Sequence, residues 1–249
     1  LSTGQFRIAP SSLERVHADV TALEPAELVV PETLREDESF RPLLRRLGRR
    51  VRFEPSTLFD VATAAERLQR FFGVSTLDGF GAFGRVELSA GAALLSYLER
   101  TQLKARPPLS PPERVEAGAF MVIDPATRAS LELTRTVSGR RQGSLLATID
   151  RCVTGAGSRL LGARLAWPLT DPAAIAERQD SVAALVENLA LRADLRVALK
   201  GVPDMERALS RLALERGGPR DLGAIAEGLE RAARIGKRLD DEDPSGELA

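Results

Sequence analysis

Ala105-Arg106-Pro107-Pro108-Leu109-Ser110-Pro111-Pro112-Glu113-Arg114-Val115-Glu116-Ala117-Gly118 holds four prolines in fourteen residues. Proline fixes φ and removes a backbone donor, so a stretch this dense stiffens the chain and interrupts helix and sheet alike. Residues 105–118 read as a linker between two domains, 1–104 and 119–249, whose sequences follow different rules. Upstream, strand and helix signals alternate. Ser11 or Ser12 can cap a helix carrying Leu13, Val16 and Val20. Leu28-Val29-Val30 is a short apolar run between Pro25 and Pro31, which suits a strand of a parallel sheet. Residues 41–48 predict a short helix ended by Gly48, Val51-Arg52-Phe53 another strand, 57–72 an amphipathic helix stopped by Gly73, and 86–103 a further helix with Leu94, Leu95, Leu98 and Thr101 on one face. Leu1 to Ile8 reads as the end of one strand, a turn at Gly4 and a second strand with nothing before it to pair with.

Downstream, Phe120-Met121-Val122-Ile123, a turn at Asp124 to Thr127, and Ser130 to Leu133 predict a strand pair. Everything beyond reads as helix. Ser144 precedes Leu145, Leu146 and Ile149, and Gly155 to Ser158 interrupts the pattern until Arg159. Asp171-Pro172 is a helix start with a cap residue and then proline at the first position, leading to Ile175, Val182, Leu185 and Val186. Leu191, Leu195 and Leu199 form the stripe of the next helix. Asp204 starts another with Leu209 and Leu212, and Gly218-Pro219 starts the last with Leu222, Ile225 and Leu229. The expected fold class is multi-domain, α/β followed by a mainly helical domain behind a small sheet.

Composition narrows the function. The 249 residues hold 35 Lys+Arg and 35 Asp+Glu, a net charge of zero. That excludes a histone-like or ribosomal-tail protein, which needs a large positive excess to displace phosphate counterions. Only three of the basic residues are lysines: Lys104, Lys200 and Lys237. Aromatics are 4%, so the core is Leu, Ala and Val. One Cys excludes an intramolecular disulfide and multi-Cys zinc sites, and one His excludes most His-based acid–base sites. No apolar run approaches the roughly 20 residues of a membrane span. Leu1 follows no basic leader or signal core, and Asp240 to Gly246 is acidic and turn-rich, so the chain is expected to be a piece of something longer.

Catalytic motifs are missing. There is no G-x-x-x-x-G-K-[ST] phosphate loop and no G-x-S-x-G elbow. Gly79-Phe80-Gly81-Ala82-Phe83-Gly84 matches G-x-G-x-x-G by letter, but it lacks a strong preceding strand and a following helix and carries two Phe, so it reads as a turn packed by aromatics. His17 reads as a surface residue, Cys152 as a buried or half-buried thiol, and Trp167 as a plug at a helix end. One feature favours nucleic acid: between residues 124 and 164 seven arginines face three acids, and Arg140-Arg141 sit between Gly139 and Gly143, placed for a backbone phosphate. Other arginines there suit ordinary surface ion pairs.

Asp124-Pro125-Ala126-Thr127-Arg128-Ala129-Ser130-Leu131-Glu132-Leu133 resembles the D-x-x-T-x-x-x-L-E-L segment of the MutS DNA mismatch repair proteins. Gly143 to Leu146, Ile149 to Thr154, Gly157 to Leu161, Trp167-Pro168-Leu169, Arg178 to Val182 and Val202 to Arg207 continue the resemblance in order. Ser2 to Phe6, Pro25 to Leu28 and Leu95 to Gln102 look like the same family's connector domain. The resemblance implies a connector of ribonuclease-H-like fold at 1–104 and the first part of the helical core or lever at 119–249. It implies a role in relaying nucleotide-driven motion between the ATPase and the DNA clamp, contacts to MutL, a homodimer, mismatched double-stranded DNA as the full-length protein's ligand, and a bacterial cytoplasmic setting near the nucleoid. ATP and Mg belong to the full-length family, with no cofactor, metal or catalytic residue in this stretch, which is therefore not itself an enzyme. Two other readings stand beside it. One is a ribonuclease-H-like metal-dependent nuclease using Asp60, Asp78 and Glu54, although these fall outside a first strand. The other is a free-standing protein-interaction module. With half a core, apolar surface is expected to stay exposed and to promote dimerisation.

Overall fold

Phe6 and Ile8 point from the first strand into a shared apolar cluster with Leu68, Leu77, Ala92, Leu95 and Leu98, and Leu68 is fully buried there. The structure, a computed structural model, describes residues 3–101, 109–116, 118–242 and 246–248. Leu1 and Ser2, Gln102 and Leu103 of the expected fourth helix, linker residues Pro107 and Pro108, and Asp243 to Ser245 of the acidic end lie outside the described residues. The chain divides into two compact units, residues 1–117 and 118–249.

In unit 1, β1 (Arg7–Ile8), α1 (Leu13–Leu23), β2 (Leu28–Pro31), α2 (Arg41–Leu47), β3 (Val51–Glu54), α3 (Ala64–Phe72) and α4 (Arg85–Thr101) follow in order, and β4 (Glu113–Arg114) closes the unit. The strands form two parallel pairs among the described residues. β2 pairs with β3 from Leu28↔Val51 to Pro31↔Glu54, so the apolar run between prolines is a parallel strand. β1 has a partner after all, in the proline-rich segment: Glu113 N–H donates to the Phe6 carbonyl at 2.9 Å and Val115 N–H to that of Ile8 at 2.9 Å, while Ser110 N–H reaches Gly4 at 2.8 Å. Residues 109–116 of the expected linker are thus hydrogen-bonded along β1. Pro111 and Pro112 precede the pairing, where their missing donors cost the ladder nothing.

The helix expected over 57–72 begins later, at Ala64. Ser56–Phe59 is a single 3-10 turn, and the Asp60 carboxylate then accepts from Ala62 N–H at 3.1 Å and from the Thr63 hydroxyl at 2.8 Å. This local bonding holds the chain off the helix until α3 starts. Gly73, at φ 68°, ends α3 in the left-handed conformation. The Gly79–Gly84 stretch begins in a 3-10 turn, Asp78–Phe80, and continues as a loop; its Phe80 and Phe83 pack against the core, and Phe80 meets Phe72 edge-on at 6.2 Å.

Unit 2 departs from its expectation at the start. The strand pair over 120–133 is absent among the described residues; one bridge, Phe120↔Leu169, remains. Pro125–Ser130 is instead a helix, α5. Asp124 caps it, accepting from Ala126 and Thr127 N–H at 2.9 and 3.0 Å, and Pro125 fills the first position. Asp-Pro is the same start signal as Asp171-Pro172, and here it outweighs the alternation that follows. α6 (Leu145–Ile149) is capped by Ser144. α7 (Gly155–Ala166) begins at the glycines expected to interrupt it, because Thr154 Oγ1 accepts from Gly157 N–H at 3.0 Å. α8 (Pro172–Glu187), α9 (Leu189–Leu199), α10 (Met205–Ala213) and α11 (Pro219–Asp240) complete the unit. Leu191 and Leu195 are buried, and α11 packs on α10 and α9. No described helix is long and apolar enough to cross a membrane.

Candidate nucleic-acid interface

The loop between α5 and α6 is built by its own backbone. Glu132 takes the left-handed region at φ 46°, its carbonyl accepts from Leu145 N–H at 3.0 Å, and its carboxylate accepts from Val137 N–H at 2.7 Å. Thr136 N–H donates to the Arg140 carbonyl at 2.8 Å, closing a tight turn through Ser138 and Gly139. Ser144, completely buried, donates to the Arg141 carbonyl at 2.7 Å and accepts from Ala147 N–H at 3.2 Å. The two predicted arginines are therefore held by a rigid frame, but they face different fates. Arg141 donates to Asp150 Oδ2 at 2.5 Å and to Ser158 Oγ at 3.1 Å. Arg140 stays exposed, with Nε on Ser138 Oγ at 3.2 Å and no carboxylate partner among the described residues.

The other five arginines of this stretch divide in the same way. Arg128 is buried and donates to the Ala166 carbonyl at 2.9 Å, holding the end of α7. Arg135 donates to Gly139 at 3.1 Å, and Arg164 is half-buried. Arg159 grips Asp204 through two bonds of 2.6 and 3.0 Å and adds Glu206 at 3.1 Å. Arg151 is exposed, and its carbonyl accepts from Arg196 of α9 at 3.0 Å. So Arg140 and Arg151 offer their charge outward, while Arg128, Arg141 and Arg159 are structural.

The carboxylates answer these cations. Hydrogen bonds from Ser158 and from Cys152 N–H, with Arg141 nearby, hold the Asp150 carboxyl below the usual carboxylate range. Arg159 does the same for Asp204. Cys152 is exposed, which corrects its expected burial. Partial desolvation of its sulfur and a contact to Asp150 push the thiol above its usual value, so it stays protonated and unreactive at neutral pH. His17 is half-buried against Phe40 at 6.1 Å rather than a surface residue. Trp167 ends α7 and meets Phe120 edge-on at 5.8 Å, as a plug would.

The nuclease residues do not converge. Asp60 caps the approach to α3, Asp78 accepts from Thr76 at 2.7 Å, and Glu54 pairs with Arg100. Among the described residues no three Asp, Glu, His or Cys side chains gather where a metal ion could sit. A helix does follow the Gly79–Gly84 turn, contrary to expectation: α4 starts at Arg85, and the Glu87 carboxylate takes the Gly84 N–H, so a side chain already occupies the anion position there. The sequence reading missed a second arginine group, seven between residues 35 and 52. Its signal was present in Arg41 and Arg45, one helical turn apart.

The family model for MutS domain II matches residues 1–111, and that for MutS domain III matches residues 126–249.

Proposed function

The chain belongs to the MutS family of DNA mismatch repair proteins, and from that membership we propose that unit 1 is a connector and unit 2 a lever that carries motion rather than performing a reaction. The observation that supports this most is the order of the two domain matches, II then III, over nearly the whole chain. The polar bonding within unit 2 fits a relay. Arg141–Asp150–Ser158 ties the α5–α6 loop to α7, the neighbouring Arg159 ties α7 to Asp204 at the start of α10, and α10 packs on α11. α11 has 22 residues, about 33 Å at 1.5 Å per residue, long enough to transmit a displacement across a domain. Packed helices joined this way move as bodies with discrete arrangements that either end can bias.

Unit 1, completed by β4, adopts a ribonuclease-H-like architecture, and unit 2 is the lever. The lever links an ATPase and a DNA clamp in the complete protein, where mismatch reading and Mg·ATP hydrolysis belong to other domains. The connector meets MutL, the protein works as a homodimer on mismatched double-stranded DNA, and it acts in the cytoplasm. Arg140 touches the DNA backbone; Arg141 positions the loop. The test is a pull-down of the chain with MutL while a mismatched duplex is titrated in parallel. Retention of MutL by unit 1 surfaces, with weak salt-sensitive DNA binding lost in Arg140→Gln, is the expected result. Metal-dependent cleavage of nucleic acid by the purified chain would overturn the reading.

A further inference from the structure

Unit 1 carries a groove of about 340 Å³ between β3, α2 and the 3-10 turn that follows β2. It is lined by apolar Leu44, Val51 and Phe53, by Gly48, and by three arginines, Arg35, Arg41 and Arg45. We propose that this groove binds a nucleotide unit, a phosphate carried beside a planar base. Three observations converge on that chemistry. First, no carboxylate lines the groove. Arg41 pairs with Glu38 at 3.0 Å at the rim, where Glu38 is 83% exposed and the pair is weak. Arg45 has no polar partner for its side chain among the described residues, although Arg41 and Arg45 stand one turn apart and repel each other. Guanidinium concentrated in this way, with Arg41 only weakly paired, is matched by an oxyanion, and arginine forks fit phosphate oxygens two at a time.

Second, Arg35 lies over the Phe53 ring at 4.2 Å. This cation–π contact anchors an exposed guanidinium beside an aromatic ring, so its N–H groups can donate to a phosphate while a base lies against the aromatic and cationic surface. Inorganic phosphate would use the N–H groups alone; a nucleotide uses both. Third, Gly48 opens the end of the groove. It sits at φ +50° with no atom within 4 Å of where a side chain would begin, so the backbone there is bare to an approaching ligand. The volume is in the range of small-ligand sites.

The source can be a free nucleotide or a unit of a single strand, and titration calorimetry on the chain separates them. The probes are inorganic phosphate, thymidine monophosphate and octathymidylate. Thymidine monophosphate is expected to bind at least tenfold more tightly than inorganic phosphate. Arg41→Gln and Arg45→Gln should each weaken it about tenfold. Phe53→Leu, which keeps the lining apolar, should erase the advantage of the base, and Arg220→Gln on α11 should change nothing. Circular dichroism confirms that each variant is folded, and the Gly48 amide resonance should shift with ligand in the unaltered protein. Equal affinity of the octamer and the monomer per site identifies free nucleotide; an octamer at least tenfold tighter, still sensitive to Arg45→Gln, identifies a strand. Absence of binding, an unmoved Gly48 amide, equal loss in Arg220→Gln, or equally tight binding of polyglutamate would overturn the proposal.

Discussion

Asp204 shows how one residue takes two tasks. Its Oδ1 accepts the Arg207 N–H at 3.4 Å, capping α10, while both oxygens hold Arg159. Replacing it with Asn keeps an acceptor for the cap but removes the charge that Arg159 faces; the expected cost is about 1–2 kcal/mol in urea unfolding, at the low end because both side chains remain about 30% exposed. Because the folded carboxyl titrates below its unfolded value, Asp204 contributes stability that is fully present above about pH 4 and lost as pH falls through the folded value. The variant should accordingly converge on the unaltered protein in acid and fall behind it toward neutrality. Gly91 is the counterpart in unit 1. A Cβ there would stand 3.0 Å from Ile8 and 3.4 Å from Phe6, so the glycine lets α4 close onto β1. Gly91→Val is expected to cost about 1–3 kcal/mol by overpacking, read from the denaturant midpoint.

At the scale of elements, the helix starts that were legible share one trait: a side chain able to cap. Ser144, Asp171 and Asp204 were read correctly because each is followed by an apolar period of helical spacing. Asp124 hides its helix start because Leu131 and Leu133 alternate like a strand, yet they lie after α5 in a loop fixed by Glu132. α7 was clipped because its glycines hid a cap at Thr154, and β4 was invisible because a two-residue strand has no period to display. The candidate site followed the same division. The sequence placed Arg140 and Arg141 in one exposed loop, whereas their separation into a free and a committed cation depends on Asp150, nine residues on, and on α7. The α10–α11 turn offers a test of packing between elements. A Cβ on Gly217 would fall 2.7 Å from the Leu212 nitrogen and 2.8 Å from its Cα, backbone atoms that cannot swing aside. Gly217→Ala should destabilise the protein by about 1–3 kcal/mol and loosen amide exchange protection on both helices.

Over the whole molecule, what is exposed matters as much as what is buried. Leu222 and Leu229 lie seven residues apart on α11 at 64% and 61% exposure, and Val197 and Leu209 are also uncovered. Sedimentation should show concentration-dependent self-association that Leu222→Asp with Leu229→Asp reduces, with little change in the unfolding midpoint because neither residue is in the core. The relay makes its own prediction in the complete protein. Leu195 is buried, so a charge there would unfold the lever, whereas half-buried Leu212 can be altered with the fold retained. If the proposed relay to an ATPase holds, Leu212→Glu is expected to leave ATP hydrolysis intact while removing its stimulation by DNA; steady-state kinetics with and without duplex would reveal unchanged stimulation if α10 carries no motion.

The sole sulfhydryl of the chain stands outside the core, two residues from Asp150 and beside the Arg196 contact that α9 makes with Arg151. Above neutral pH, where the thiolate forms, a maleimide dye or nitroxide can therefore be attached at a single address without mutagenesis. It would report, in real time, whether the ties between the loop and its neighbouring helices slacken when duplex is added.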